Sequence, residues 1–410
     1  MGFDFLPSDL LIPVIFIVWV IYKIKNDRKL KFGKIGKMIV VFLFVLTITY
    51  FISLFRFPIG QMITAFAYLG RFGMYLILPL MLFDVVNCND EKLHVSILDS
   101  RFSILVVMII SMLLISILGF LQLKYFPSFL DLGMELKGWD PHIGRLLSTW
   151  FDPNFVGGYL AFVLGPVIAL WLYFWRGAKL NLRPFFTNPK TVSLLVITVV
   201  GIIGSAALYL TYSRSGYLAF LAVLGILALL KSRKLLIAGV LIVVLAFSFS
   251  PRIQERTIDA WDSGKALIGL DSQKPLDPTA RLRVFSWNYA WDIIGDNIWT
   301  GIGYNRYAFE FNKRGYGALS DHDAGGSDSS ILTIWATSGI FGLLSYLAIG
   351  FVATVVTIKR IWGKNTKQSY INAGLLAGFG GMMMHSVFVN SLLFPLMMVY
   401  LMVGLAILDY

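Results

Sequence analysis

Apolar runs close to twenty residues long recur from one end of the chain to the other. A hydrocarbon core about 30 Å thick needs about 20 residues of helix at 1.5 Å rise each. Runs of this kind cover residues 10–22, 38–55, 61–86, 103–121, 154–175, 191–212, 216–230, 235–249, 331–358, 370–385 and 391–408. The pattern predicts an all-α polytopic membrane protein with about eleven transmembrane helices. The first run has neither a basic leader nor a small-residue cleavage site, so it is read as a span rather than a signal peptide. Two polar segments interrupt the series, 122–153 and the much longer 250–330. Within the second, Val284, Trp287, Trp291 and Ile294 share one helical stripe, which predicts an amphipathic helix over 282–294. Gly295, Gly301 and Gly303 break the chain after it. The division expected is therefore 1–249 for the first eight spans, 250–330 for a large loop and 331–410 for the last three.

Composition agrees. The 410 residues are 57% hydrophobic and only 14% charged, where a soluble domain carries roughly 25% charged residues. A single cysteine, Cys88, rules out a disulfide framework. His94, His142, His322 and His385 are too scattered for a zinc motif. The net charge of +12 would suit nucleic acid or anionic lipid until its location is read. Lys23, Lys25, Arg28, Lys29, Lys31, Lys34 and Lys37 crowd the first connection. Alternation puts Arg176, Lys179, Arg183 and Lys190 on the same side, with Lys231, Arg233, Lys234, Lys359, Arg360, Lys364 and Lys367. By the positive-inside rule that side is cytoplasmic, the N-terminus is out and the C-terminus is in. The excess charge is then an orientation signal, the outer side is slightly acidic, and nucleic acid is excluded as a partner.

Residues with chemical potential collect on the outer side. Arg214 lies in TYSRSG between two apolar runs with almost no loop between them; it either snorkels to the interface or meets an anion. Arg281 and Arg283 stand at the start of the predicted amphipathic helix, where backbone N–H groups and the helix dipole favour an anion. Arginine matches phosphate oxygens bidentately, so this group reads as a diphosphate clamp. Arg71 lies inside the third run, where a charge is either functional, here as a further donor-diphosphate ligand, or paired within the bundle. Asp321, His322, Asp323 and Asp328 precede the ninth run. They contain a D-x-D pattern without the context of a metal site, and supply instead a general base for transfer to a hydroxyl. His142 and His385 are read as structural. The outer tryptophans fit an interfacial belt as well as a sugar platform.

Four stretches in order, RLLSTWFDPNFVGGYLAF, TYSRSGYLAFL, RVFSWNYAWDIIGDNIWTGIGYNRY and SDSSILTIWATSGIFGLLSYL, resemble the family of bacterial O-antigen ligases and O-antigen polymerases. They show Pro-Asn opening a helix, a Ser-Arg junction, Arg-x-x-x-Trp followed by Gly-x-Gly, and the helix that closes the large loop. The resemblance spans residues 145–347. It implies a GT-C-like bundle in the bacterial inner membrane with one large, partly helical extracytoplasmic loop. It further implies an inverting, metal-independent glycosyltransferase without a cofactor. Its donor would be an undecaprenyl-diphosphate-linked glycan and its acceptor a glycan, lipid or protein. By the same resemblance Arg214 and Arg283 contact the donor diphosphate, with Arg281 beside them. Where many ligases have His-Asn-Ser, this chain has Asp328-Ser329-Ser330, so the base is Asp328 or His322. The competing class is a transporter or channel for an anionic or lipid-linked substrate, with Arg71 and Arg214 as pathway charges.

Overall fold

A computed structural model describes residues 6–26, 29–86, 97–130, 133, 140–176, 188–267, 276–316 and 325–409. Among them there is no β-strand. The helices are α1 (Pro7–Lys25), α2 (Lys34–Ile52), α3 (Ile59–Val86), α4 (Ile97–Tyr125), α5 (Pro153–Arg176), α6 (Pro189–Leu210) and α7 (Arg214–Leu230). There follow α8 (Lys234–Phe249), α9 (Pro251–Leu267), α10 (Pro278–Asp296), α11 (Tyr307–Lys313), α12 (Ser330–Ile361), α13 (Lys367–His385) and α14 (Pro395–Asp409). Local chemistry sets many of the starts. Helices α1, α5, α6, α9, α10 and α14 open on proline, whose missing N–H costs nothing in the first turn. Asn188, Ser213 and Thr366 cap α6, α7 and α13 by accepting from the N–H of Lys190, Gly216 and Ser369.

Each apolar run read from the sequence coincides with a helix. Seven helices among the described residues, α1 to α6 and α12, are long and apolar enough to cross a membrane; the pair α8 and α9, bent by 108° at a short break, makes up to eight. Helices α7 and α14 are apolar but shorter. The chain is a multi-pass, all-helical membrane protein.

Two compact units are present. The first comprises Met1–Ile104, Arg283–Lys359 and Asn390–Tyr410, the second Leu105–Leu282 and Arg360–Val389.

In the first unit α3 packs against α1, α2 and α14. Asp409 near the chain's end accepts from the N–H groups of Ile35 and Gly36, both at 2.9 Å. A carboxylate thus caps the positive end of α2. Lys23 is paired with Asp84 at 2.5 Å, and Trp19 donates to the same carboxylate. Helix α12 is broken at Gly339 (φ 66°, ψ −174°), a conformation open to glycine. The break leaves backbone groups without helical partners, and the segment after α10 satisfies them. The N–H groups of Ile302 and Gly303 donate to the carbonyls of Ala336 and Thr337, while Ile340 N–H donates to Ile298 O. The contact is so close that a Cβ on Gly301 would lie 2.5 Å from the Thr337 backbone, and one on Gly339 2.1 Å from Trp299 O. The Gly301-Ile302-Gly303 motif therefore exists to let one backbone lie against a broken helix.

Helix α10 is where the structure departs from the hydrophobic pattern. Its buried residues are Ser286, Ala290, Ile293 and Ile294; of the predicted stripe only Ile294 is among them, Val284 and Trp287 being half-buried. Trp291 is 50% exposed, with its ring edge against Trp335. Small residues win the inner face because the helix lies against backbone there: Asp328 N–H donates to Ser286 Oγ at 2.8 Å. A tryptophan at that position would hold the two segments apart.

The second unit is organised around α5, which is buried almost continuously from Val156 to Leu170 and packs on α6, α7 and α13. Glycines bring the backbones together. A Cβ on Gly165 would meet Gly374 O at 2.5 Å, one on Gly378 would meet Phe162 O at 2.6 Å, and one on Gly216 would meet Gly157 Cα at 3.1 Å. Such small-residue interfaces hold helices together in lipid, where apolar burial offers no gain. Helix α8 has its apolar side chains largely exposed, as expected of a surface facing acyl chains.

Candidate functional site

The second unit builds a cationic centre from three short motifs. Asp152 Oδ1 accepts from the N–H groups of Asn154 and Phe155, capping α5. Asn154, second residue of that helix, then ties the motifs together. Its side-chain oxygen accepts from Ser213 Oγ at 2.9 Å and lies 3.4 Å from Arg145 Nη2; its carbonyl lies 3.0 Å from His385 Nε2. Ser213 in turn caps α7, and this fixes Arg214 as the first residue of that helix.

Arg214 is paired bidentately with Asp277, at 3.1 Å from Nη1 and 3.0 Å from Nη2. Asp277 also accepts from Ser263 Oγ and from the N–H groups of Thr279 and Ala280, so it is the N-cap of α10. Burial alone would raise the Asp277 carboxyl. The hydrogen bonds and charge of Arg214 outweigh it and hold the group below its ordinary range.

More arginines surround this pair. Arg256 on α9 feels the charges of Arg214 and Arg252. Arg252 donates to the carbonyls of Ile143 and Gly144 and lies over the Tyr212 ring at 4.3 Å. Arg145 is buried and donates Nε–H to Thr211 O at 3.0 Å. Burial, then repulsion from Arg256, lowers its guanidinium to about 10, against the pull of Asp152 and Asp140. Arg145 therefore keeps its charge at neutral pH but holds it at a cost.

Next to Arg214 and Arg256 opens a cavity of about 440 Å³. Its walls are Leu208, Leu221, Val243 and Phe247 from α6, α7 and α8, with Tyr209 and Tyr217. Apolar walls ending on two guanidinium groups suit a lipid with an anionic head.

The other candidates fall as follows. Arg281 is exposed in the first turn of α10, one turn from Asp277. Arg283 is half-buried and belongs to the first unit. Arg71 is paired with Asp9 at 2.8 Å, and Tyr75 donates to the same oxygen at 2.8 Å. A cavity of about 210 Å³ lies beside it in the first unit, lined by Arg71, Tyr304, Asn305, Thr333, Thr337 and Asn390. Tyr304 is stacked on Phe72 at 4.7 Å. The rim reaches Gly325. Asp328 is half-buried just before α12. His322, with Asp321 and Asp323, lies outside the described residues. His385 is fully buried, with its ring against Asn154 and Gly158, and His142 is buried with burial lowering its imidazole; both are structural. Among the described residues no cluster of three metal-ligating side chains occurs.

Four participants escape sequence reasoning. Asp277 is separated from Arg214 by 63 positions, so nothing local announces the pair. Arg252 and Arg256, four apart on a polar helix, carried a readable signal: two cations on one helical face. Arg145 reads as one loop charge among several until burial singles it out.

No curated protein matches the chain. Residues 199–347 match the family described as O-Antigen ligase. That stretch holds the Ser-Arg junction, the capped α10, the Gly-x-Gly contact and the broken α12. Together with the order of the motifs, that match makes residues 199–347 similar to an O-antigen ligase domain and supports a glycan-transferring function in the membrane.

Proposed function

We propose that the protein is an inverting, metal-independent glycosyltransferase that moves a glycan from undecaprenyl diphosphate to an acceptor hydroxyl. The observation that carries this reading is the apolar cavity of the second unit ending on Arg214 and Arg256. Its walls suit a polyprenyl chain, and its charged end suits the diphosphate. In the reaction the acceptor oxygen bonds to the anomeric carbon as the bond from that carbon to the diphosphate oxygen breaks. Negative charge grows on the leaving group, and fixed guanidinium groups stabilise it most at that moment. Arg214, Arg281 and Arg283 are assigned to the donor diphosphate, with Arg256 added from the cavity wall. The acceptor proton goes to Asp328 or His322. Arg71, paired with Asp9 as Arg214 is with Asp277, is the remaining arginine assigned to the donor.

The further readings follow from the same proposal. The chain has eleven spans in a GT-C-like bundle of the inner membrane, N-terminus out and C-terminus in. Residues 250–330 are the extracytoplasmic loop between the first eight spans and the last three.

The test is incubation of purified protein with undecaprenyl-diphosphate glycan and candidate acceptors. Release of undecaprenyl diphosphate with a glycan ladder identifies a polymerase, and one discrete conjugate identifies a ligase. An intact donor with every acceptor, alongside donor movement across liposomes, would replace the proposal with a transporter.

A further inference from the structure

At the ends of α5 and α7 remote from Arg214, the second unit gathers a second set of cations. A cavity of about 190 Å³ is lined by Tyr173, Phe174, Arg176, Lys190, Asn365 and Tyr370. Arg176 Nη1 donates to Asn365 Oδ1 at 2.8 Å and to Tyr370 Oη at 3.2 Å. Lys231 donates to Ser369 Oγ at 2.6 Å and to Lys364 O at 3.0 Å, with its ammonium 4.7 Å from the centre of the Tyr370 ring. Lys190 stands at the start of α6. Topological charge explains why these residues lie on one side of a membrane. It does not explain why Arg176, on the cavity wall, and Lys231, behind the Tyr370 ring that lines it, are each hydrogen-bonded into place.

The helices that build this end carry no counter-ion of their own. No Asp or Glu occurs between Asp152 and Glu255, or between Asp328 and Asp409. These stretches contain all of α5, α6, α7 and α13, which build this end of the unit. Among the described residues, Arg176, Lys190 and Lys231 form no ion pair with a carboxylate. Burial and then the Arg176 charge lower the Lys231 ammonium from its ordinary range. Like charges held together without an acid are relieved by an external anion.

We propose that this cluster binds a phosphate group, that of an acidic phospholipid headgroup. The setting favours a lipid over a free ion. Trp171 and Trp175, the latter adjacent to Arg176 on α5, are stacked at 5.2 Å, and Trp175 is half-exposed. Indole rings at a helix end mark the headgroup level of a bilayer. The donor cavity is a separate place: Arg214 opens α7 and Lys231 follows its last residue, so a helix of 17 residues, about 25 Å long, separates them.

The experiment uses the full chain, delipidated in neutral detergent, and native mass spectrometry. Wild-type protein is titrated with phosphatidylglycerol, with phosphatidylcholine and with inorganic phosphate. Phosphatidylglycerol should be retained in preference to phosphatidylcholine. Lys190→Ala, at an exposed position where folding is not at stake, should weaken retention about fivefold, and Arg176→Ala with Lys231→Ala by roughly twentyfold or more. Displacement by millimolar inorganic phosphate would keep the phosphate site and reassign its source to a free anion. Equal retention of both lipids, unaffected by phosphate, or equal retention by wild type and variants, would overturn the proposal.

Discussion

Replacing Asp277 by Asn separates two jobs that the structure gives one side chain. Asparagine caps a helix about as well as aspartate, so the N–H groups of Thr279 and Ala280 keep an acceptor while the charge facing Arg214 disappears. The pair is bidentate at 3.0 and 3.1 Å, with side chains 17% and 13% exposed. It lies between an exposed pair, worth up to about 1 kcal/mol, and a fully buried one, whose disruption costs about 3–5 kcal/mol. A loss of about 1–3 kcal/mol of stability is therefore expected, and Arg256 adds to it by facing Arg214 without the intervening carboxylate. Donor affinity should move the other way. Asp277 competes with any diphosphate for Arg214, and removing one negative charge beside a dianion should gain at least about 1 kcal/mol, or about fivefold in KM. The assay is a thermal melt of the purified variant in detergent beside a donor titration of glycan transfer. A pH series adds a sign test. Because the folded carboxyl lies below its ordinary value of 3.8, its stabilisation is complete above that value and is lost as pH falls through the lower folded one. The wild type should lose its advantage over Asp277→Asn in that acid window. A variant with wild-type stability and an unchanged or higher KM would refute the assignment of Asp277 as the counter-charge of a donor-binding arginine.

Arg214→Ala should abolish transfer but also strand the Asp277 carboxylate, so Arg214→Gln, which still donates a hydrogen bond, is the cleaner variant; normal turnover by purified Arg214→Gln or by Arg283→Ala would remove that residue from the donor site. Gly165→Ala should destabilise, since overpacking costs about 1–3 kcal/mol and exceeds the helix-propensity gain of up to about 1 kcal/mol; Gly225→Ala, with no atom within 4 Å of the added Cβ, should leave the melt unchanged or raise it. Gly339→Ala should prevent accumulation of folded protein, because its Cβ would overlap Trp299 O and its backbone conformation favours glycine; a normal yield with a sharp size-exclusion peak would contradict the broken-helix contact. Asp328→Asn and His322→Ala, compared across pH, should separate the two base candidates: loss of turnover in only one of them identifies the base.

Much of the architecture was legible because its causes are local. A run such as 154–175 is helical and membrane-embedded by its own composition, and prolines and capping residues mark where helices start. The Ser213-Arg214 junction was equally readable, since an arginine between two apolar runs has few places to go. Harder to see was the inner face of α10, because the pattern counts apolar residues while the packing surface there is another backbone that admits only Ser286 and Ala290.

The sequence alone determined the class of the protein, the positions of its apolar helices and some of the arginines to examine. Hydropathy and helical periodicity act over one to five turns, and a linear reading can follow them. Only the tertiary structure decided that Arg214 meets Asp277, that Arg71 is neutralised by Asp9, that Arg145, Arg252 and Arg256 join one cationic centre, and that Gly301 and Gly303 mend a break in α12. Each of these joins residues dozens of positions apart, and each depends on topology bringing together a charge or a backbone group whose burial without a partner would be too costly.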